Sequence, residues 1–281
     1  MKLLLALTAT SAVVIAAPVA AQSSAADNVY FSGPYISGSF NGDFVDDSGD
    51  ERLIFDPQND GDFQFTLPTA AGANAFSPGY CGGEAFGRTP QRGCADDDAG
   101  IGGSIRLGYD ARIGSFGVAG LMVEGSLGDT TDYTTGFSTT PASYTFIREV
   151  KGSAALRGRI GISPGDGRGL FYATGGVVYG KIDHDFVTTN GANAFEVLEG
   201  DDWQLGGQIG MGAELHVLDN VTFGVEFLHT RYDDDDNFVR VTQGTAPLSN
   251  PFVRQGGTTN LALGDPDLKI NSFRATVGFH F

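Results

Sequence analysis

Seven charged side chains have the placement that chemistry inside a narrow cavity would need: Arg106, Glu124, Arg157, Arg159, Glu214, Glu226 and Arg274. Each lies in a segment where apolar and polar residues alternate, and each falls on the polar phase. If those segments are strands, all seven point to one side. Arg106, Arg159 and Glu214 each precede a short turn by four residues and are expected at one depth. Glu124, Arg157, Glu226 and Arg274 are expected further along the interior. Carboxylates and guanidiniums shut in a narrow space must pair, because a buried charge without a partner is costly. Three uses are open to such a set: an ion-pair network that plugs the interior, a gated conduction path, and acid–base catalysis. On this pairing, removing Arg274 should strand a glutamate and lower thermal stability rather than open a selective channel.

Other residues that could do chemistry are weaker. Cys81 and Cys94 are the two cysteines of the chain. With none left over in an exported chain, they are expected to form a disulfide, worth ~3 kcal/mol for a loop of that size in the chain-entropy account. No histidine lies in that loop to activate a thiol. Residues 43–98 carry twelve acids against three bases, and Asp233 to Asp236 form a run of four. Such carboxylates suit a solvated, repulsive surface, and divalent cations are a candidate partner for them. The segment from Asp56 through Asp60 and Gly61 imitates a Ca²⁺ loop, but its twelfth position is Leu67 where a bidentate Glu is needed. Gly161, Ser163 and Gly165 spell a nucleophile elbow, yet Pro164 lacks the N–H that an oxyanion hole uses. Eight-stranded lipid A deacylases use a His with a Ser two residues on; after His229 that position is Arg231. His184, His216, His229 and His280 show no metal-ligand spacing. No catalytic residue, cofactor site or metal site is assigned, and no enzymatic activity is expected.

The elements that position the seven charges follow from composition and period. Of 281 residues 42 are Gly and 21 are Phe, and the acids are 26 Asp against 8 Glu. Gly and Asp disfavour helices, so a helical bundle is excluded. Period-two alternation recurs eight times, most clearly over 203–217 and 272–281. Short turns rich in Gly, Pro, Asn and Asp, Asp110 to Ser115, Ser163 to Gly169 and Leu218 to Asn220, follow the second, fourth and sixth strands. Long connections, about 43–98, 129–147, 187–200 and 234–267, alternate with them. An even strand number with short turns at one end and long loops at the other is the pattern of a membrane barrel. A soluble lipocalin-like barrel would turn the apolar face inward around a ligand. The loop asymmetry, the Gly- and aromatic-rich apolar face and the final Phe281 favour the membrane barrel.

The first residues read as a leader. Lys2 precedes an apolar run from Leu3 to Val19, and Val19-Ala20-Ala21 fits a cleavage site before Gln22. The expected domains are a signal peptide, 1–21, and a barrel, 22–281. The formal net charge of −17 excludes nucleic acid as a natural partner.

Gly33-Pro34-Tyr35-Ile36-Ser37-Gly38-Ser39-Phe40-Asn41-Gly42 resembles the opening strand of the small outer-membrane β-barrel proteins of alphaproteobacteria, the opacity-like or porin-family proteins. Ser272 to Phe281 resembles their closing strand. The resemblance implies an all-β, eight-stranded antiparallel transmembrane β-barrel with short periplasmic turns and long extracellular loops, in the outer membrane of a Gram-negative bacterium. It implies that Phe279 and Phe281 are read by the barrel assembly machinery, and that lipid and lipopolysaccharide surround the chain. It covers the strands, not the loops, and implies no reaction. A structural or surface-interaction role with a closed lumen is expected, with a small-solute or ion channel and a lipid-modifying enzyme as alternatives.

Overall fold

The computed structural model describes residues 30–46, 51–198, 200, 202–235 and 237–281. The expected signal peptide, 1–21, lies outside the described residues. The strands run β1 (Gly33–Val45), β2 (Leu53–Asp56), β3 (Gly79–Gly82), β4 (Glu84–Ala85), β5 (Cys94–Ala95), β6 (Gly100–Ile113), β7 (Gly117–Ser138) and β8 (Ala142–Ile162). They continue as β9 (Gly169–Thr188), β10 (Ala194–Leu198), β11 (Trp203–His216), β12 (Val221–Asp233), β13 (Phe238–Thr242), β14 (Thr259–Leu263) and β15 (Asp267–His280).

Eight of them close into an antiparallel ring in the order β1, β6, β7, β8, β9, β11, β12, β15. Closure comes from β1, which pairs with both β6 and β15, so that Ile36 faces Leu107 on one side and Phe279 on the other. Every ring strand therefore has two neighbours, and no edge is left to be satisfied in a medium without water.

The side chains sort by the pleat. Ile105, Leu107, Leu121, Val123, Ile160 and Ile209 are all exposed on the outer wall, while Arg106, Glu124, Arg157 and Glu226 are buried inside. Ile101 to Tyr109 spans eight residue steps of β6, ~27 Å at ~3.4 Å per residue. A tilt of ~40° reduces this to ~21 Å, close to the ~25 Å apolar band of membrane barrels. The stacked rings of Tyr179 and Trp203, 5.2 Å apart, mark the upper rim of the band. Charged pairs follow on the same outer wall: Lys181–Asp183 at 2.7 Å, Lys269–Asp265 at 2.8 Å, and Arg231–Asp267.

At that rim the ring strands change register. Between Leu127 and Thr130 β7 carries an extra residue against β8, and β8 carries one against β9 between Val150 and Gly152. Such bulges bend a strand and re-aim it. Beyond them the β7–β8 hairpin runs on to Ser138 and Ala142. The loop expected over 129–147 is thus mostly strand. Its Thr-rich stretch shows no apolar alternation because both faces are covered: Thr134, Thr135, Phe137, Thr145 and Phe146 are all buried.

One face is covered by a second sheet, β10-β13-β14-β2, assembled from three of the expected long connections, while on the other the Thr135 hydroxyl donates to the Gly83 carbonyl at 2.7 Å. Leu53, Phe55, Phe76, Tyr144, Phe146, Val241, Phe252 and Leu261 lie in one buried cluster between this sheet and the hairpin. Each such side chain contributes ~1.5–3 kcal/mol on burial, enough to fold the connections into a cap with its own core. Cys81 of β3 and Cys94 of β5 are disulfide-bonded beside it. Asp56 ends β2 and is used locally: its carboxylate accepts the backbone N–H groups of Gln58 at 3.3 Å, Asp60 at 3.2 Å and Gly61 at 3.1 Å. The residues that imitate a Ca²⁺ loop form a turn closed by Asp56.

Candidate functional site

The interior of the ring is built in layers, because each ring strand contributes every second side chain to it. In the upper layer Arg106, Arg157 and Arg274 surround Glu124 and Glu226. Cross-strand register supplies two of these contacts, Arg106 facing Glu124 across β6–β7 and Glu226 facing Arg274 across β12–β15. Glu124 accepts from Arg106 Nε at 2.5 Å, Arg157 Nη2 at 2.6 Å and Arg274 Nη1 at 2.7 Å. Glu226 accepts from Arg106 Nη2 at 2.6 Å, Arg157 Nη1 at 3.1 Å and the Tyr172 hydroxyl at 2.9 Å. Arg157, which reaches both carboxylates from β8, has no exposed surface.

The lower layer holds Arg159, Glu214 and Asp110. Arg159 Nε donates to Asp110 Oδ1 at 2.9 Å, a second bond joins Arg159 Nη2 to Asp110 Oδ2, and Arg159 Nη1 donates to Glu214 Oε1 at 2.8 Å. The guanidinium also lies over the Tyr35 and Tyr172 rings, 4.6 and 5.1 Å from their centroids. Two sequence expectations change here. Arg106 does not share a depth with Arg159 and Glu214; it belongs to the upper layer, since its partner Glu124 is fixed by register. Asp110, expected in a short turn, is the last buried acid of β6, with 0% of its surface exposed. Its signal was present in the sequence as the continued alternation Ser104, Arg106, Gly108, Asp110, masked by the preference of Asp for turns.

Asp110 settles the charge balance of the two layers. The upper has three arginines to two glutamates, a surplus of one positive charge. The lower has one arginine to two acids, a surplus of one negative charge. Together the layers are neutral, which four arginines against the three expected glutamates would not be.

Below them the ring is stopped by aromatic groups. The His216 and His280 rings are 4.8 Å apart, with Tyr35 stacked on His280 at 5.2 Å. Phe31 lies edge-on to His216 at 4.5 Å, and its ring is buried. Tyr30 and Phe31, just before β1, thus pack into the mouth. Above the arginine layers comes a polar shelf that includes Ser126, Ser153, Gln208 and Thr230, with a cavity of about 40 Å³. Higher still, Arg148 Nε donates to Asp132 Oδ2 at 2.8 Å and its Nη1 to the Pro266 carbonyl at 3.0 Å. His184 Nε2 lies 2.9 Å from Asp234 Oδ1, and Asn237 Nδ2 donates to that same oxygen at 2.8 Å. These contacts were not foreseen: Asp132, Asp234, Asn237 and Pro266 lie on stretches expected to be loops, and Arg148 and His184 lie just outside such stretches.

The remaining residues singled out in the sequence are apart from the lumen. Phe279 and Phe281 sit exposed at the short-turn end, ring centroids 5.1 Å apart. Ser163 is a turn residue whose hydroxyl donates to the Gly167 carbonyl at 2.7 Å. His229 Nδ1 pairs with Asn271 Oδ1 at 2.9 Å on the outer wall, and Arg231 with Asp267. Among the described residues no group of three His, Cys, Asp or Glu side chains could hold a metal ion.

Outside the membrane band the electrostatics respond to the same contacts. Burial would raise the Asp265 carboxyl, but the hydrogen bonds from Lys269 and the Asp267 amide hold it below the usual range. Burial and the bond to Asp98 push the Tyr133 phenol up to about 12.

The fold can be set beside known proteins. It is similar to the outer membrane protein OprG of Pseudomonas aeruginosa, with 14% identity and a TM-score of 0.48 over 90% of this chain and 99% of that one. It is also similar to Ail, the attachment invasion locus protein of Yersinia pestis, with 8% identity and a TM-score of 0.33 over 89% of this chain and 99% of that one. No curated protein matches the sequence. The family described as outer membrane protein beta-barrel domain matches residues 9–281. With the closed eight-stranded ring and its apolar outer wall, the chain belongs to the outer-membrane β-barrel family.

Proposed function

We propose that the protein is a closed barrel that carries its cap outside the cell, with a structural or surface-interaction role and no reaction of its own. The observation that carries this reading is the neutral double layer of Arg106, Arg157, Arg274 and Arg159 with Glu124, Glu226, Glu214 and Asp110. An eight-stranded barrel has little room beyond its own side chains, and here the paired charges occupy it between the histidine plug and the polar shelf. A water column through the lumen would have to part several buried ion pairs at once.

The orientation we infer follows the loop asymmetry of such barrels. The short turns face the periplasm, and the β7–β8 hairpin and its cap face outward. Lipopolysaccharide then meets the charged pairs above the apolar band, and the barrel assembly machinery reads Phe279 and Phe281. The opening and closing strands support kinship with the alphaproteobacterial opacity-like proteins.

Conductance in planar bilayers tests the reading. Purified protein is expected to give no steady pore and at most small intermittent events. Steady, ion-selective conductance would replace this reading with a channel.

A further inference from the structure

The cap contains a second cavity that the closed-barrel reading does not use. It measures about 230 Å³ and opens at the far tip, between the β7–β8 turn, the turn after β9 and the segment around Phe252. Its floor is aromatic. Tyr144 lies 5.0 Å from Phe76 and 5.6 Å from Phe252, centroid to centroid, and all three side chains are buried. An apolar cavity of ~150 Å³ suffices for a benzene ring, so one six-membered ring fits here with a substituent.

Besides Tyr144, seven of the sixteen lining residues carry polar side chains, and those around the Tyr144 hydroxyl are directional. Asn190 Nδ2 donates to the Tyr144 hydroxyl at 3.0 Å, which leaves the phenol its own proton to give. Ser138 Oγ, 3.3 Å from that hydroxyl, spends its own proton on the Thr140 carbonyl at 2.5 Å and so accepts the phenol's. Burial raises the Tyr144 phenol further above neutral pH. At the rim stands Arg88, exposed and, among the described residues, without an ion pair or hydrogen bond. In a chain of net charge −17 an idle guanidinium at a cavity mouth is notable. Arg88 sits midway along the stretch closed by the Cys81–Cys94 bond, which restricts where its side chain can go.

We propose that this cavity binds a small monocarboxylate with an apolar ring, of about the size of benzoate. The ring lies on Phe76, Tyr144 and Phe252, and Arg88 takes the carboxylate at the mouth, the geometry in which a guanidinium fork is strongest. The proposal rests on the outward-facing cap only for its biological sense; the binding itself is independent of orientation and of lumen closure.

The test is titration of benzoate and of benzyl alcohol against the full chain in lipid nanodiscs, with empty discs as the blank. Saturable benzoate binding is expected, weakened tenfold or more by Arg88→Gln, whose site is exposed and so leaves the fold intact. Benzyl alcohol, lacking the charge, should bind equally to both proteins. Ala192→Trp, at the exposed rim, should remove the binding of both. Reducing the disulfide should weaken benzoate binding in the same direction as Arg88→Gln. Absence of saturable benzoate binding, or equal benzoate affinity with and without Arg88, overturns the proposal. Conductance of the same preparation reports separately on the closed lumen.

Discussion

Replacing Glu226 by Gln should destabilise the barrel severely, while replacing Arg274 by Met should cost clearly less, although both residues lie in one ion-pair layer. Glu226 serves Arg106 at 2.6 Å, Arg157 at 3.1 Å and the Tyr172 hydroxyl at 2.9 Å, with Arg274 at 3.8 Å. Without its charge, three arginines would share Glu124 alone. Removing one partner of a buried ion pair costs ~3–5 kcal/mol, because a desolvated charge is left behind. Arg274 is in the opposite position. Its one short contact is to Glu124 at 2.7 Å, and its Nε is buried without an acceptor. Deleting it leaves two arginines with two glutamates in that layer. The lost bond, ~1.5–3 kcal/mol, is partly or wholly offset by release of the unsatisfied Nε, ~1–3 kcal/mol, so even with the two layers left one charge negative the net loss should stay at or below ~2 kcal/mol. The expectation from sequence that removing Arg274 strands a glutamate is therefore reversed, because Glu124 has two other partners. The assay is the urea or temperature midpoint at which the folded band is lost on gels of unboiled protein. Equal losses for Glu226→Gln and Arg274→Met, or no loss for Glu226→Gln, would refute the charge-counting argument.

Asp110→Asn should cost less than Glu226→Gln, ~1.5–3 kcal/mol for a charged hydrogen bond, since Arg159 keeps Glu214 and the faces of Tyr35 and Tyr172; the same gel midpoint measures it. Replacing both Cys81 and Cys94 by Ser should remove ~3 kcal/mol in the chain-entropy account and speed proteolysis within 82–95, while the barrel midpoint stays put. Tyr133, pushed up to about 12 by burial and Asp98, should ionise after the exposed tyrosines in an ultraviolet titration. Its contribution to stability is then complete below the unfolded tyrosine value of ~10 and is lost as the pH rises toward the folded one; a Tyr133→Phe protein should lack that alkaline step.

The ring was legible because its signal is local. Along β11 and β15 one wall meets lipid and the other meets charge, so the alternation is complete and a slip of one residue would put Arg274 in the bilayer. The same alternation chose the inward charges. It could not choose partners, since pairing across the lumen depends on register between strands that are far apart in sequence, such as Arg106 and Glu226. Asp110 shows the remaining limit. A short acidic residue next to a turn reads as part of the turn, and only its buried contact with Arg159 tells it from Asp166, which is exposed in the turn after β8.

The cap was illegible for a different physical reason. Its strands have four or five residues each and find their partners across long stretches of chain, as when Leu261 of β14 pairs with Phe55 of β2. No window of sequence contains both members of such a pair. The hairpin that supports them is covered on both faces, so its period-two pattern vanishes where its structural role is greatest. The acids that make the connections look like solvated loops are partly consumed within the cap: Asp56 closes a turn, Asp132 and Asp234 hold Arg148 and His184. The barrel then supplies what the short strands lack. It fixes the base of the β7–β8 hairpin in the membrane, so the nucleus on which the connections pack is already ordered, and the entropy of closing them is correspondingly reduced. A closed, rigid lumen suits that task better than an open one would.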